Sequence, residues 1–361
     1  MKVPTMHPDF QRLMGEATRL TQAGDLMAAT AAIQAALGAG ADAAPFAAPA
    51  RGMPFDVIDV EAREVPAQRA PDARDQAPAK GRFISGSHSD KAAGHRDYKL
   101  FIPSGAGERA LPLVVMLHGC SQNPDDFAAG TAMNEAAESQ GFFVLYPAQS
   151  QRAKPQRCWN WFKHNHQQRG RGEAALLAGM TREVMARHGI DPQRVYVAGL
   201  SAGGAMAAIL GNAYPDIYAA VGVHSGLAAG AASDLPSAMA AMKGGGAPAA
   251  SSASGMPTIV FHGDADATVH QSNGEQVVAA SAGAEASAEV LRHKADGGRA
   301  CTRRVHRDAN GRVVAEHWLV HGAPHAWSGG SAQGSYTDSR GPDATAEMLR
   351  FFFEHPHQRA H

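Results

Sequence analysis

The chain is short of cysteine, of aromatics and of long apolar runs, and each shortage excludes something. Three cysteines in 361 residues cannot staple a small disulfide-built fold; they allow one intrachain bridge and one free thiol. No apolar run approaches the roughly 20 residues that span a bilayer, and the stretch Leu113 to Leu117 has the length of a strand. An excess of either charge is missing too. The 33 Lys and Arg stand against 34 Asp and Glu, a formal −1, which gives no general attraction to nucleic acid or to an anionic membrane. No leader is expected either: Lys2 supplies a charge, but Asp9, Arg12 and Glu16 break up the apolar residues after it, where an h-region would be continuous. The sequence by itself therefore sets the expectation of a cytoplasmic protein. At 44% hydrophobic and 19% charged, the chain is ordinarily globular, with room for about two domains.

Composition divides the chain. Over 1–38, Phe10, Leu13, Met14, Ala17 and Leu20 recur at helical spacing, as do Leu26, Ala29, Ile33 and Leu37. Gly24 suits the end of the first helix and Asp25 the cap of the second. A helical hairpin is expected there, as a packing or partner-binding appendage. Residues 39–80 have the Ala, Pro and Gly of a linker. Residues 81–355 form the expected main domain, and 356–361 a tail. A second Gly/Ser-rich stretch, 227–255, reads as an insertion or surface loop inside that domain.

Within the main domain, strand-like runs begin at Tyr98, Leu113, Phe142, Val195, Ala220, Thr258 and Glu316. Helical patterns such as Gly172 to His188 and Ala202 to Ala213 separate several of them. That alternation predicts an α/β fold, a mostly parallel sheet covered by helices. Functional groups in such sheets gather at the carboxyl ends of strands.

Those ends carry a nucleophile, an acid and a base. Gly199-Leu200-Ser201-Ala202-Gly203 follows the run Val195 to Ala198 and opens an Ala-rich helix. This is the strand–turn–helix setting of a G-x-S-x-G turn, in which small neighbours let a strained serine rise above the sheet. A serine needs a base and an orienting acid, here in the order Ser, Asp, His. After the strand Thr258 to Phe261 come Asp264 and Asp266. Asp266, further into the loop, is placed to reach a histidine, and Asp264 to bond loop amides. Among 18 histidines, His325 lies in a Gly-rich loop beyond the last strand. His321, nearer the strand, is expected to face the sheet or pack. His118 comes too early in the order to be the base. An oxyanion requires backbone N–H donors, and Ala202 and Cys120 supply the two candidates. A lysine three residues after the nucleophile would mark a different class of serine enzyme; Gly204 stands there.

The blocks Leu117-His118-Gly119-Cys120, Cys158-Trp159-Asn160-Trp161-Phe162, Gly199 to Gly204, His262-Gly263-x-x-Asp266 and His325-Ala326-Trp327-x-Gly329-Gly330 resemble the poly(3-hydroxybutyrate) depolymerase family of esterases. That family is similar in motif to feruloyl and acetylxylan esterases. The resemblance spans roughly residues 82–354. It implies an α/β-hydrolase fold, a cofactor-free serine esterase, the triad Ser201, Asp266 and His325, and Cys120 in the oxyanion loop. It also implies an extracellular location, against the expectation from the N-terminus. Pro324 replaces the family's usual glycine before the histidine and stiffens that loop. Cys120 and Cys158 resemble a pair that would bridge, with two reduced thiols as the alternative; Cys301 is left unpaired. Trp159, Trp161 and Trp327 form either a wall for the ester chain or packing for the loops.

His164 and His166 lack a third ligand at recognisable spacing, so no metal is expected. His355, His357 and His361 read as a solvated tail. Three functions follow: a carboxylester hydrolase of short hydroxyacyl esters, their oligomers or polyester; a feruloyl or acetylxylan-type esterase; or a non-catalytic binding module of the same fold. The complete triad argues against the third. The hairpin offers no aromatic patch for gripping a solid, which favours small or soluble esters. The sequence does not specify an oligomeric state.

Overall fold

The chain divides into two compact units, Met1–Ala70 and Pro71–His361. The computed structural model describes residues 81–90, 93–244, 254–282, 287–294 and 298–357. The hairpin over 1–38, the linker over 39–80, and residues 245–253 and 358–361 lie outside the described residues.

Among the described residues, ten strands build one sheet. They are β1 (Arg82–Asp90), β2 (Gly94–Ile102), β3 (Leu111–Leu117), β4 (Phe143–Pro147), β5 (Ile190–Leu200), β6 (Ala220–His224), β7 (Thr258–Gly263), β8 (Ser287–Lys294), β9 (Ala300–Arg307) and β10 (Val313–Val320). Their spatial order is β1-β2-β4-β3-β5-β6-β7-β10-β9-β8. The centre, β4 through β10, is parallel, and the flanks β1-β2 and β9-β8 join antiparallel. β3, β4, β6 and β7 are buried from end to end, which is why they read as unbroken apolar runs rather than alternating ones.

The period of two distributes β3 between two cores. Leu113, Val115 and Leu117 pack with Leu177 and Met180 of α3 (Gly172–Arg187), Met206 and Ile209 of α4 (Ala202–Ala213), and Val277 of α6 (Ser272–Ala282). Val114 and Met116 pack with Phe127 of α1 (Pro124–Thr131), Met133 of α2 (Met133–Gln140), and Met348 and Phe352 of α7 (Ala344–Glu354). Helices thus cover both faces of the sheet, as the alternation predicts.

Two expectations are corrected, and three strands are added. The 227–255 stretch is not simply a surface loop: Leu227, Ala228, Ala231 and Ala232 are buried, and α5 (Leu235–Met242) follows. Asp234 and Ser237 cap that helix reciprocally, with Pro236 in its first turn. His355 is not part of a solvated tail. Its imidazole bonds the Phe351 and Val313 carbonyls, and the next amide but one, His357 N–H, bonds Gln193 O. β1, β8 and β9 were not anticipated, because their polar compositions hide the strand period.

Candidate active site

The nucleophile turn is built by close approach. β5 ends at Leu200, α4 starts at Ala202, and Ser201 between them has φ 58° and ψ −119°. A non-glycine residue there is strained by about 1–3 kcal/mol and persists only if its surroundings impose it. They do: Ser201 N–H donates to His224 O at 2.8 Å and Ser201 O accepts from Ala205 N–H at 3.0 Å. A Cβ on Gly203 would stand 2.0 Å from Leu117 O, and one on Gly199 would stand 2.4 Å from the Gly203 carbonyl carbon. Both positions therefore require glycine.

The acid lies three residues past β7. Asp266 Oδ1 accepts from the N–H groups of Thr268 and Val269, both at 2.9 Å, and Oδ2 accepts from His325 Nδ1 at 2.7 Å. Its side chain is fully buried. Burial would raise its pKa; the bonds from His325, Val269 and Thr268 outweigh that and hold the carboxyl below the usual range. With Nδ1 donating to a carboxylate, the neutral ring keeps Nε2 as the free base. Ser201 and His325 line one cavity of about 180 Å³, together with Gly119, Cys120, Gln122, Leu200, Met242, Thr268 and Tyr336. Among the described residues no hydrogen bond joins Ser201 Oγ to the imidazole, a looseness common before substrate arrives.

A second carboxylate–imidazole pair lies beside the first. Asp264 Oδ1 accepts from Gly322 N–H at 2.6 Å, the loop-amide role expected of it, and Oδ2 meets His321 Nδ1 at 2.8 Å. His321 Nε2 meets Thr302 Oγ1 at 2.9 Å. His321 thus reaches the sheet through Thr302 of β9, as expected of it, while its side chain stays 41% exposed. The pair anchors the start of the loop that carries His325.

The oxyanion loop leaves β3 through His118-Gly119-Cys120. His118 is buried and serves as a strut. Its Nε2 accepts from Gln149 N–H at 3.1 Å, Nδ1 faces Gly119 O at 2.7 Å, and its own carbonyl accepts from Trp159 Nε1 at 3.0 Å. Burial lowers its pKa to about 4, so the ring is neutral. Gln122 Oε1 takes the Gly119 N–H at 2.9 Å, while Gln122 Nε2 donates to Asp126 and to Ser335 O. Cys120 and Cys158 are joined as a disulfide, their Cα atoms 4.3 Å apart. Among the described residues the N–H groups of Cys120 and Ala202 have no hydrogen-bond partner. Sequence reading missed Gln122, Met242, Thr268 and Tyr336. Only Tyr336, held at φ 53°, has a backbone that sets it apart, and a sequence does not display φ.

The tryptophans are packing rather than a wall. Trp159 and Trp327 are 0% and 1% exposed. Trp327 Nε1 bonds Thr345 Oγ1, and Trp161 packs edge-on against Phe162. None of the three lines the cavity at Ser201. His164 meets Gln168, and His166 accepts from Glu173 N–H.

Glu173 fastens the Trp159–Trp161 segment. Its carboxylate accepts from Asn160 N–H at 2.7 Å, Asn160 Nδ2 at 2.9 Å, Gln149 Nε2 at 2.5 Å and Arg96 Nη2 at 3.3 Å. Burial alone would raise this carboxyl. The approach of His166 and the bonds from Gln149 and Asn160 bring it from 4.5 down to about 2. A depressed carboxyl contributes stability above its ordinary pKa and loses it as pH falls through the folded one. We predict that wild type loses on the order of 3 kcal/mol from this group between about pH 5 and pH 2. Urea unfolding of Glu173→Gln across that range should show a shallower pH slope; an unchanged slope would sink the assignment.

The parallel sheet, the serine on its strand-to-helix turn, the acid after β7 and the histidine after β10 define an α/β hydrolase. The acetyl xylan esterase of Aspergillus awamori shares this fold, with TM-score 0.57 at 16% identity over 75% of this chain and 99% of that one. The match to the Esterase PHB depolymerase family covers residues 96–285, just over half of the chain, and the protein belongs to that family. It is 32% identical over 240 residues to poly(3-hydroxyalkanoate) depolymerase C of Paucimonas lemoignei, covering 62% of this chain and 56% of that protein. It is 33% identical over 128 residues to feruloyl esterase B of Thermothelomyces thermophilus, covering 35% and 43%. The chain thus spans about half the length of the curated relatives it matches.

Proposed function

We propose that the protein is a serine carboxylester hydrolase acting through an acyl-enzyme on short aliphatic hydroxyacyl esters or their oligomers. What carries the reading is a strained Ser201 facing, across one cavity, a His325 whose Nδ1 is 2.7 Å from the buried Asp266. In the proposed reaction His325 Nε2 takes the Ser201 proton as Oγ attacks the ester carbonyl. Asp266 stabilises the imidazolium, and the N–H groups of Cys120 and Ala202 receive the oxyanion. The alcohol leaves with the proton, and water then hydrolyses the acyl-enzyme. One such oxyanion donor is worth roughly 10²–10³ in rate.

Two features support an aliphatic acyl group. The cavity, at about 180 Å³, lies below the roughly 300–1,000 Å³ of sites for drug-sized ligands, and Leu200 and Met242 line it. On α5, Leu235, Met239 and Met242 fall at i, i+4 and i+7 on one face. Leu235 and Met239 are 55% and 51% exposed, so an apolar strip runs from solvent to the cavity. The feruloyl reading draws its support from sequence relatives, two feruloyl esterases at 33% and 32% identity. Hydrolysis of p-nitrophenyl acetate, butyrate and octanoate beside methyl ferulate decides between them. We expect acetate and butyrate to exceed ferulate by at least about tenfold in kcat/KM, a difference of about 1.4 kcal/mol. Preference for methyl ferulate would reverse the substrate assignment.

A further inference from the structure

His224, the last residue of β6, touches both halves of the machinery without lining the cavity. Its main-chain oxygen accepts the Ser201 N–H at 2.8 Å. Its imidazole Nε2 accepts the Ser328 N–H at 2.9 Å, three residues beyond His325. Nδ1 lies 3.2 Å from Ser225 Oγ, a hydroxyl able to accept its proton. The ring stacks on Phe261 and Trp327, with centroids 5.8 and 5.1 Å away. The residue is 1% exposed. An Nε2 that receives an N–H must be unprotonated, and burial keeps this histidine neutral, with its pKa lowered to about 3.

We propose that His224 is a positioning residue: its main chain holds the nucleophile turn, its rigid ring holds the histidine loop, and the one residue so fixes the separation of Ser201 Oγ and His325 Nε2. The inference rests on the serine-hydrolase reading above. Its physical basis is the steep dependence of proton transfer on geometry, in which a displacement of 1 Å costs about 10²-fold. Two contacts of His224 can be separated by substitution. His224→Phe keeps the ring and its stacking but leaves the Ser328 N–H without its acceptor. His224→Gln discards the ring but places a carbonyl oxygen near the position of Nε2.

A merely structural role makes Phe the milder change; a positioning role makes Gln the milder one. The readout is the rate of Ser201 phosphonylation by an alkyl fluorophosphonate, beside kcat and KM on p-nitrophenyl butyrate. In that labelling the Oγ–P bond forms as P–F breaks, the hydroxyl proton passes to His325 and then to solvent, and fluoride leaves. We expect His224→Phe to melt within a few degrees of wild type, with kcat and labelling lowered about 10²-fold and KM little changed. His224→Gln should recover most of both rates. Wild-type rates in the Phe variant, or a Gln variant as slow as the Phe one, would overturn the proposal. Should the Phe variant not fold, His224→Asn replaces it: its amide stops one bond short of the Ser328 N–H, so rates equal to those of the Gln variant would overturn the proposal equally. Wild type that is labelled but turns over no ester sinks the ester reading alone, and the labelling comparison still decides this one. Wild type that is never labelled sinks both.

Discussion

Replacing Ser201 with alanine should lower kcat on p-nitrophenyl butyrate by on the order of 10⁵–10⁶-fold while leaving the fold intact. Triad members act as a unit, so losing the nucleophile removes nearly all that the triad contributes. The residue's backbone makes the prediction sharper. At φ 58° and ψ −119° an alanine suffers the same strain as the serine, so Ser201→Ala should melt close to wild type. Ser201→Gly should be equally inactive but more stable by about 1–3 kcal/mol, because glycine adopts that conformation freely. Residual turnover above about 1% in either variant would mean that another group attacks the ester, since the triad's share is far larger than 10²-fold. A Gly variant no more stable than the Ala one would remove the strain argument.

Gly203→Ala should be the most damaging single methyl in the domain. Its Cβ would lie 2.0 Å from Leu117 O and 2.6 Å from His118 O. Both are main-chain atoms at the end of β3, so no side chain can rotate away. α4 would have to lift off the sheet, or the oxyanion loop would have to retreat. Overpacking costs about 1–3 kcal/mol, and a clash with two main-chain oxygens belongs at the upper end, which in a domain of this size lowers Tm by about 5 °C. Any relaxation that relieves the clash also moves Cys120 N–H away from Ala202 N–H, so kcat should fall with stability. A variant that melts with wild type and turns over normally would show that the loop and helix do not approach as described.

What the sequence made legible were the places where one chemical type is obligatory. Gly199, Ser201 and Gly203 announce their turn because no larger residue fits. The buried parallel strands announce themselves because both faces exclude water. Asp264 and Asp266 could be ranked by their distance from the strand, yet each accepts from loop amides and meets a histidine, His321 for Asp264 and His325 for Asp266. What was left open or missed has a common cause. Trp159 and Trp327 stand in the motif blocks, and block membership alone does not say whether an indole faces the cleft or the core. Each has its N–H bonded internally, to His118 O and Thr345 Oγ1, and such partners come from residues far away in sequence. Gln122 and Tyr336 escaped because their placement depends on Asp126, which holds Ser335 from 209 residues away. The alanines of 227–232 looked like linker because small residues carry little hydropathy, yet small residues are what the close packing there admits.

The strand order has a consequence for how the chain becomes a protein. β8 and β9 precede β10 in synthesis but lie outside it in space. They can pair with each other, but they join the sheet only through β10. β10 in turn brings the loop bearing His325, and α7 behind it seals the sheet face of Tyr196 and Phe261 with its own Phe351 and Phe352. Pairings of this sequence separation close slowly, and an incomplete domain exposes edges and apolar faces meanwhile. Ser201 is therefore made well before His325, the base proposed for it. On the proposed roles the serine has no proton acceptor until β10 and the loop after it have joined the sheet, so completion of this part of the fold and the onset of reactivity are one event.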